Sequence, residues 1–151
     1  MPPPPGSEDA CPLPGDLPDD EAAAIRRMLA GKRIAVVGLS DDPGRPSYDV
    51  ARYLLSVGKE ILPVNPNHAR VMGLKSYPSL EQVPGPVDVV DVFRRPEFCA
   101  AVVRDAVAAG AKGVWLQSGI VSEEAERIAA EAGIDFVQDR CLKVEHMFHG
   151  R

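Results

Sequence analysis

The chain has 151 residues, with 22 acidic and 17 basic side chains and a formal charge of −5 at pH 7. This length predicts one domain that can bury a single sizeable core. Residues 1–21 hold six of the acids and no Lys or Arg, so the rest of the chain is near neutral. No basic stripe indicates a nucleic-acid partner.

The first eighteen residues contain seven prolines. Such a segment has little apolar surface to bury, so we expect residues 1–18 to be a disordered acidic leader and residues 19–151 to form one domain. The leader lacks the basic start and apolar centre of a signal peptide, and no run of about 18 apolar residues predicts a membrane span. The odd set of Cys11, Cys99 and Cys141 favours a reducing, cytoplasmic location over a disulfide framework.

Helical patterns and apolar runs alternate along the rest of the chain. The predicted elements are helix 19–30, strand 32–37, helix 47–57, strand 60–64, a short helix near 79–83, strand 88–93, helix 96–109, strand 113–117, helix 122–132 and strand 134–138. Glycines follow the longer helices at positions 31, 58, 110 and 133, as is typical of the left-handed residue past a helix end. The strands are continuously apolar, which indicates burial on both faces. The pattern predicts a Rossmann-like, doubly wound α/β fold, with a mainly parallel five-stranded sheet and helices on both faces.

The loop after the first strand has the features of a phosphate site. The apolar run Ile34–Val37 ends at Gly38, a polar loop follows, and a helical pattern opens at Ser47. Backbone N–H groups at a helix start have no intrahelical acceptor, and the helix dipole favours an anion there. Ligands of doubly wound sheets bind at this carboxyl end of the strands.

Two common nucleotide signatures are missing from this loop. The dinucleotide fingerprint G-x-G-x-x-G is absent, and the second strand ends in Val64-Asn65-Pro66, where NAD-binding folds place a carboxylate for the ribose. The Gly-Lys-Ser/Thr phosphate loop is absent as well. NAD and this type of ATP hydrolysis are therefore disfavoured, although an NAD(P)-binding regulatory domain stays open as an alternative.

Several short motifs in a fixed order resemble one family over roughly residues 31–146. They are Val37-Gly-Leu-Ser40, Arg45-Pro-Ser47, Val64-Asn-Pro66, Tyr77-Pro-Ser-Leu80, Val87-Asp-Val-Val-Asp-Val-Phe-Arg-Arg-Pro96, Trp115-Leu-Gln117, Gly119-Ile120 and Asp139-Arg-Cys141, continued by Lys143 and Glu145-His146. The set resembles the stand-alone CoA-binding protein family, whose fold is similar to the CoA-binding domain of the succinyl-CoA synthetase α subunit. Ser118 departs from the pattern, since a larger apolar residue is expected there, which puts the local pocket shape in doubt.

The resemblance implies that coenzyme A or an acyl-CoA is the small-molecule ligand. The residues it assigns to the ligand are Gly38, Leu39, Ser40, Arg45, Pro46 and Ser47 for the diphosphate, Asn65 and Pro66 for the ribose side, Phe93, Arg94 and Arg95 for adenine and a phosphate, and Gln117, Ser118, Gly119 and Cys141 along the pantetheine arm. A carboxylate at the end of strand two would repel a phosphorylated ribose, so its absence fits this ligand.

Other conspicuous residues receive plainer interpretations. We expect Trp115 and Cys99 in the core, and Asp91 to cap or pair with an internal group, because it enters a buried strand. His146 and His149 lack further nearby metal ligands, so no metal site is predicted. No catalytic triad or carboxylate pair stands out, so we expect a binding, carrier or sensor module rather than an enzyme. A thiol-redox protein that forms a Cys141–CoA mixed disulfide is a further alternative, and the sequence leaves any protein partner open.

Overall fold

An α/β fold with one five-stranded sheet and five α-helices comprises residues 19–149, the part of the chain that the computed structural model describes. The predicted leader 1–18 lies outside the described residues. In chain order the elements are α1 (Asp19–Ala30), β1 (Arg33–Val37), α2 (Pro46–Ser56), β2 (Glu60–Val64), β3 (Arg70–Val71), β4 (Leu74–Lys75), a 3₁₀ helix (Leu80–Gln82), β5 (Val89–Val92), α3 (Pro96–Ala108), β6 (Gly113–Leu116), α4 (Glu123–Ala132), β7 (Asp135–Val137) and α5 (Leu142–His149).

The main sheet has the strand order β2-β1-β5-β6-β7, and all of its pairs are parallel. The chain leaves β1 for β2 on one side and later returns to β5 on the other side of β1. The strand order therefore reverses between β1 and β5, where Val37 at the end of β1 lies opposite Val92. In doubly wound folds this switch point is the usual ligand crevice.

Apolar side chains cover both faces of the sheet. On one face α1, α2 and α5 pack over buried residues such as Ile34 and Trp115, and on the other face α3 and α4 pack over Val90 and Val114. Trp115 and Cys99 are fully buried, which confirms the prediction that both belong to the core. Burial on both faces explains why the strands are continuously apolar.

Local signals place the helix starts. Pro46 and Pro96 occupy the first turn of α2 and α3, where a missing N–H costs nothing. The hydroxyl of Ser122 accepts a hydrogen bond from the backbone N–H of Ala125 and caps α4. None of the helices within residues 19–149 is long and apolar enough to cross a bilayer.

Two elements were not expected from the sequence. One is the β3–β4 hairpin, whose turn holds Met72 and Gly73 at φ values of 55° and 75°. The other is α5, whose buried side includes the polar residues Glu145 and His146. The interpretation of Gly31 was also wrong: its φ is not left-handed, and a Cβ at this position would lie 2.8 Å from the Cβ of Asp88.

Candidate functional site

Two neighbouring cavities lie at the carboxyl ends of β1, β2 and β5. The larger has a volume of about 460 Å³ and the smaller about 390 Å³, both within the usual range of ligand sites. Both cavities are lined by Gly38, Asn65 and Phe93, each the residue directly after its strand. Because they share these residues, the two cavities adjoin each other at the switch point of the sheet. We call the pair the switch-point crevice.

Gly38 lines both cavities, and only glycine fits at this position. Its φ is +85°, and a Cβ would lie 2.6 Å from the carbonyl oxygen of Phe93. The backbone N–H of Gly38 donates to Val64, while that of Phe93 donates to Val37. These bonds hold the three strand ends close together, so a side chain at position 38 would force β1 and β5 apart.

The smaller cavity lies at the N-terminus of α2 and is lined by Ser40, Arg45, Pro46 and Ser47. Arg45 is the N-cap residue, has extended backbone, and makes no side-chain capping bond. The backbone N–H of Ser47 lies in the first turn, where helices have no internal acceptor. The Arg45 side chain is 70% exposed, and its Nε lies 4.0 Å from the Asp42 carboxylate, a long distance for an ion pair. The guanidinium is therefore accessible to a ligand. A free N–H, a helix dipole and a guanidinium together favour an anion.

The two serines and Leu39 also shape this loop. The Ser47 hydroxyl is buried and accepts a hydrogen bond from the backbone N–H of Ser40 at 3.0 Å. The Ser40 hydroxyl accepts from the N–H of Asp42. Each serine oxygen therefore stabilises the loop, while its O–H hydrogen remains able to donate. Leu39 is fully buried and offers the crevice no side chain; its carbonyl oxygen accepts from the Asn65 amide at 3.0 Å.

The second strand contributes Asn65 and Pro66 to the larger cavity. The Asn65 amide oxygen accepts from the backbone N–H of Asn67, so this side chain links the loop after β2 to the loop after β1. The exposed His68 also lines the smaller cavity. The Asn65 amide thus lies at the strand end where NAD-binding folds place an acidic residue.

Phe93 and Arg94 line the side of the crevice formed by β5 and α3. Phe93 borders both cavities, and Arg94 borders the larger one. The Arg94 guanidinium carbon lies 4.6 Å from the centre of the Phe98 ring, a stacking distance that orients the cation. Arg95 is exposed, serves as the N-cap residue of α3 and borders neither cavity.

Besides Leu39 and Arg95, four further predicted site residues lie outside the crevice, after the ends of β6 and β7. Gln117 is buried, and its side-chain oxygen accepts from the backbone N–H of Leu142. Gly119 donates its N–H to Asp139 at 2.7 Å, while Ser118 is exposed. Cys141 is half-buried against the core under α1 and α2. The structure thus brings together the motifs after β1, β2 and β5, but these four residues line neither cavity.

Several lining residues were not assigned from the sequence. They are Asn67, His68, Pro78, Ser79, Leu80, Val102 and Asp105. The motif Tyr77-Pro-Ser-Leu80 was part of the resemblance and could have pointed to three of them. Val102 and Asp105 lie within α3, and only the packing of α3 beside β5 brings them to the crevice.

A buried acid lies on β5, two residues before Phe93. Asp91 is fully buried, next to Val36 and Trp115 in the register, and neither of its carboxyl oxygens has a hydrogen-bond partner among residues 19–149. The expectation that it caps or pairs internally is therefore wrong. Burial raises the pKa of the Asp91 carboxyl well above its usual value, so the neutral form is favoured.

Residues 32–147 match the sequence family described as "CoA binding domain", which covers both cavities of the crevice. The chain belongs to this family. The match confirms the resemblance seen in the motifs. Within residues 19–149, no three His, Cys, Asp or Glu side chains converge as a metal site.

Two kinds of relative share this CoA-binding domain. The uncharacterized protein YneT of Bacillus subtilis is 42% identical over 125 residues, which covers 82% of this chain and 93% of YneT. The ADP-forming acetate–CoA ligase II of Archaeoglobus fulgidus is 31% identical over 105 residues, 68% of this chain but 16% of the ligase. The chain thus aligns with nearly all of YneT and with one part of the much longer ligase.

Solved structures share this fold. A hypothetical protein from Pyrococcus horikoshii OT3 superposes with a TM-score of 0.82 at 37% identity, covering 92% of this chain and 96% of that one. The dinucleotide-forming acetyl-coenzyme A synthetase 1 of Ca. Korarchaeum cryptofilum, in complex with phosphate and ADP, superposes with a TM-score of 0.68 at 31% identity. That match covers 76% of this chain and 27% of the synthetase. These neighbours confirm the Rossmann-like α/β fold.

Proposed function

We propose that this protein binds coenzyme A or an acyl-CoA in the switch-point crevice, as a binding, carrier or sensor module. The observation that carries the proposal is that two adjoining cavities share Gly38, Asn65 and Phe93. One cavity offers a helix N-terminus for phosphate, and the other offers a larger, partly apolar space. A ligand with a diphosphate and an elongated organic part matches both.

The residues of the crevice fit the parts of CoA. The diphosphate would lie at the start of α2, held by the Ser47 N–H and the Arg45 guanidinium. Arg94 would meet a further phosphate, because Phe98 holds its guanidinium at the cavity wall. Phe93 would contact the adenine ring, with Asn65 and Pro66 on the ribose side.

The course of the pantetheine arm is a separate part of the proposal. From the crevice it would follow the sheet edge toward Gln117, Ser118 and Gly119, with Cys141 beyond them. These residues lie at the ends of the next strands along the sheet, and Ser118 is exposed. The half-buried position of Cys141 favours packing over a mixed disulfide with the CoA thiol.

Binding without chemistry is the activity that the described residues support. The relatives whose names state a reaction include ADP-forming acetate–CoA ligases, and the chain matches 16% and 27% of the length of two of them. We propose that the chain shares their CoA-binding part and holds or presents the thioester to other proteins. A cytoplasmic location, where thiols stay reduced, belongs to the same proposal.

Thermal unfolding with a panel of nucleotides tests the proposal. A ligand that binds only the folded state raises the melting temperature, by an amount that grows with its ratio of concentration to Kd. We expect CoA and acetyl-CoA to raise it most, dephospho-CoA less, and NAD, NADP and ATP least. Stabilisation by NAD or NADP without any by CoA would assign the chain to the alternative class of NAD(P)-binding domains. No response to any CoA species would overturn the proposal.

A further inference from the structure

The C-terminal motif of the chain lies outside the crevice, yet it packs against the helix that forms the phosphate end. Lys143 and His146 lie one turn apart on α5 and face Asp49 and Tyr53, one turn apart on α2. The Lys143 ammonium donates a hydrogen bond to Asp49 at 2.9 Å, and the Tyr53 hydroxyl lies 2.8 Å from Nδ1 of His146. The two helices are therefore joined by paired polar contacts along one side of α2.

Asp49 is the residue in this contact that concerns the ligand. It lies in the first turn of α2, three residues after Pro46. The hydrogen bond from Lys143 lowers the pKa of the Asp49 carboxyl, which therefore carries its negative charge at neutral pH. A carboxylate at this place is favourable to an empty helix N-terminus, but it opposes an anion bound there.

The cations around Asp49 differ in how firmly they are held. Lys143 is 29% exposed, comes from a separate helix and also lies 5.8 Å from the Tyr53 ring. Arg52 approaches Asp49 at 3.2 Å from within α2 but is 68% exposed, and such surface pairs contribute little. Lys143 is thus the better-ordered counter-charge for Asp49.

We infer that Lys143 is a positioning residue for the anionic ligand: it neutralises Asp49 at the phosphate end of α2 and fixes that helix against α5. The inference rests on the proposed function, since it needs a diphosphate ligand at α2. Lys143 acts through Asp49, and the pair sets how strongly the helix N-terminus attracts an anion. The motif after Cys141 therefore serves the binding site without lining it.

Calorimetric titration with CoA of the full chain and four variants tests this role. We expect Lys143→Met to weaken CoA binding about tenfold, as a net unit charge beside a bound diphosphate would do. Lys143→Arg keeps the charge and should bind within about threefold of the native chain. Asp49→Asn should bind at least as tightly as the native chain, and the Asp49→Asn/Lys143→Met double variant should recover most of the loss.

A matched control is Lys112→Met, which breaks another lysine–aspartate pair, with Asp88 at 3.4 Å, at the opposite end of the strands. It should bind CoA like the native chain. Increasing salt should shrink the effect of Lys143→Met, because screening weakens a charge effect but not a packing defect.

The outcomes separate the two proposals. A native chain that binds no CoA overturns the proposed function and this inference together. Native binding with an undiminished Lys143→Met variant overturns the inference alone. A loss that Asp49→Asn does not rescue shows that Lys143 acts without Asp49, which also overturns it. Should Lys143→Met fail to fold, Asp49→Asn decides: weaker CoA binding by that variant contradicts the inference.

Discussion

At the end of β5, two residues that line the crevice follow closely after a buried residue that lowers the stability of the fold. Phe93 and Arg94 line the crevice, while Asp91, two residues before Phe93, is fully buried and has no hydrogen-bond partner in the part of the chain that the structure describes. A buried carboxyl without hydrogen bonds costs free energy even when it is neutral, and more when it is ionised. Asp91 therefore weakens the folded state, and its effect depends on pH.

Replacement of Asp91 by Asn should remove a pH dependence of stability. Above about pH 4 the unfolded chain releases the Asp91 proton, but the folded chain keeps it because burial raises the pKa of this carboxyl. The native free energy of unfolding should then fall relative to Asp91→Asn by up to about 1.4 kcal/mol per pH unit, until the folded pKa is reached. Urea unfolding between pH 4 and 8 measures the difference.

Asp88 provides a control of opposite sign. Hydrogen bonds from the backbone N–H groups of Arg33 and Lys32 lower the pKa of the Asp88 carboxyl. Its contribution to stability is present above the unfolded pKa and is lost as the pH falls, so Asp88→Asn should be most harmful at high pH. Parallel pH curves for the native chain and Asp91→Asn would contradict the prediction for Asp91.

At the scale of elements, α2 combines a weak N-terminal cap with a firmly held first turn. Arg45 makes no side-chain capping bond, but Ser47 bonds back to the N–H of Ser40 across the loop. Lys143 and His146 of α5 hold the side of the helix. A helix start left free of caps but fixed in place is suited to an external anion, because its N–H groups are already oriented.

Ser47→Ala tests whether this loop contact, and not the stability of α2 as a whole, supports CoA binding. The change leaves the part-buried N–H of Ser40 without its acceptor, which should cost about 1–2 kcal/mol of unfolding free energy and weaken CoA binding about tenfold. Ser56→Ala, at the other end of α2, removes a hydrogen bond to Tyr53 and should leave CoA affinity unchanged. Chemical denaturation and calorimetric titration measure the two quantities. Equal effects of both variants on CoA affinity would refute a special role for Ser47.

On the scale of the whole molecule, one sheet separates two apolar cores. Val103 of α3 belongs to the core on one face, and Trp115 belongs to the core on the other. Both cores contact the same five strands, so neither face can open without exposing the other side of the sheet. We therefore expect the two cores to unfold in one cooperative transition.

Val103→Ala tests this cooperativity across the sheet. The cavity should cost about 2 kcal/mol, and the fluorescence of Trp115, the chain's single tryptophan, should shift its midpoint in urea by the same amount as the far-ultraviolet circular dichroism. Val121→Ala, at a side chain that is 49% exposed, should change stability by less than about 0.5 kcal/mol. A Trp115 transition that does not move with Val103→Ala would show that the two cores unfold separately.

Most elements could be predicted because their signals are local. The apolar run before Gly38, the proline at the start of α3 and the Ser122 cap each depend on a few neighbouring residues. The β3–β4 hairpin was not predicted, because each strand has only two residues and its turn uses Met72 at a positive φ. Helix α5 was not predicted, because the polar Glu145 and His146 are buried while the apolar Phe148 is 65% exposed. This is the reverse of the usual pattern of buried apolar and exposed polar side chains.

The amino-acid sequence alone determined the α/β class and the phosphate-type loop after β1, because apolar strand runs, a glycine turn and a helix start can each be recognised from neighbouring residues. The motif set also determined the family. Only the tertiary structure decided that Gly38, Asn65 and Phe93 meet in one crevice and that Gln117 and Cys141 line neither cavity. It also joined Lys143 to Asp49 and left the Asp91 carboxyl without a hydrogen-bond partner among the described residues. These relations depend on strand order and helix packing, which bring together residues far apart in the chain.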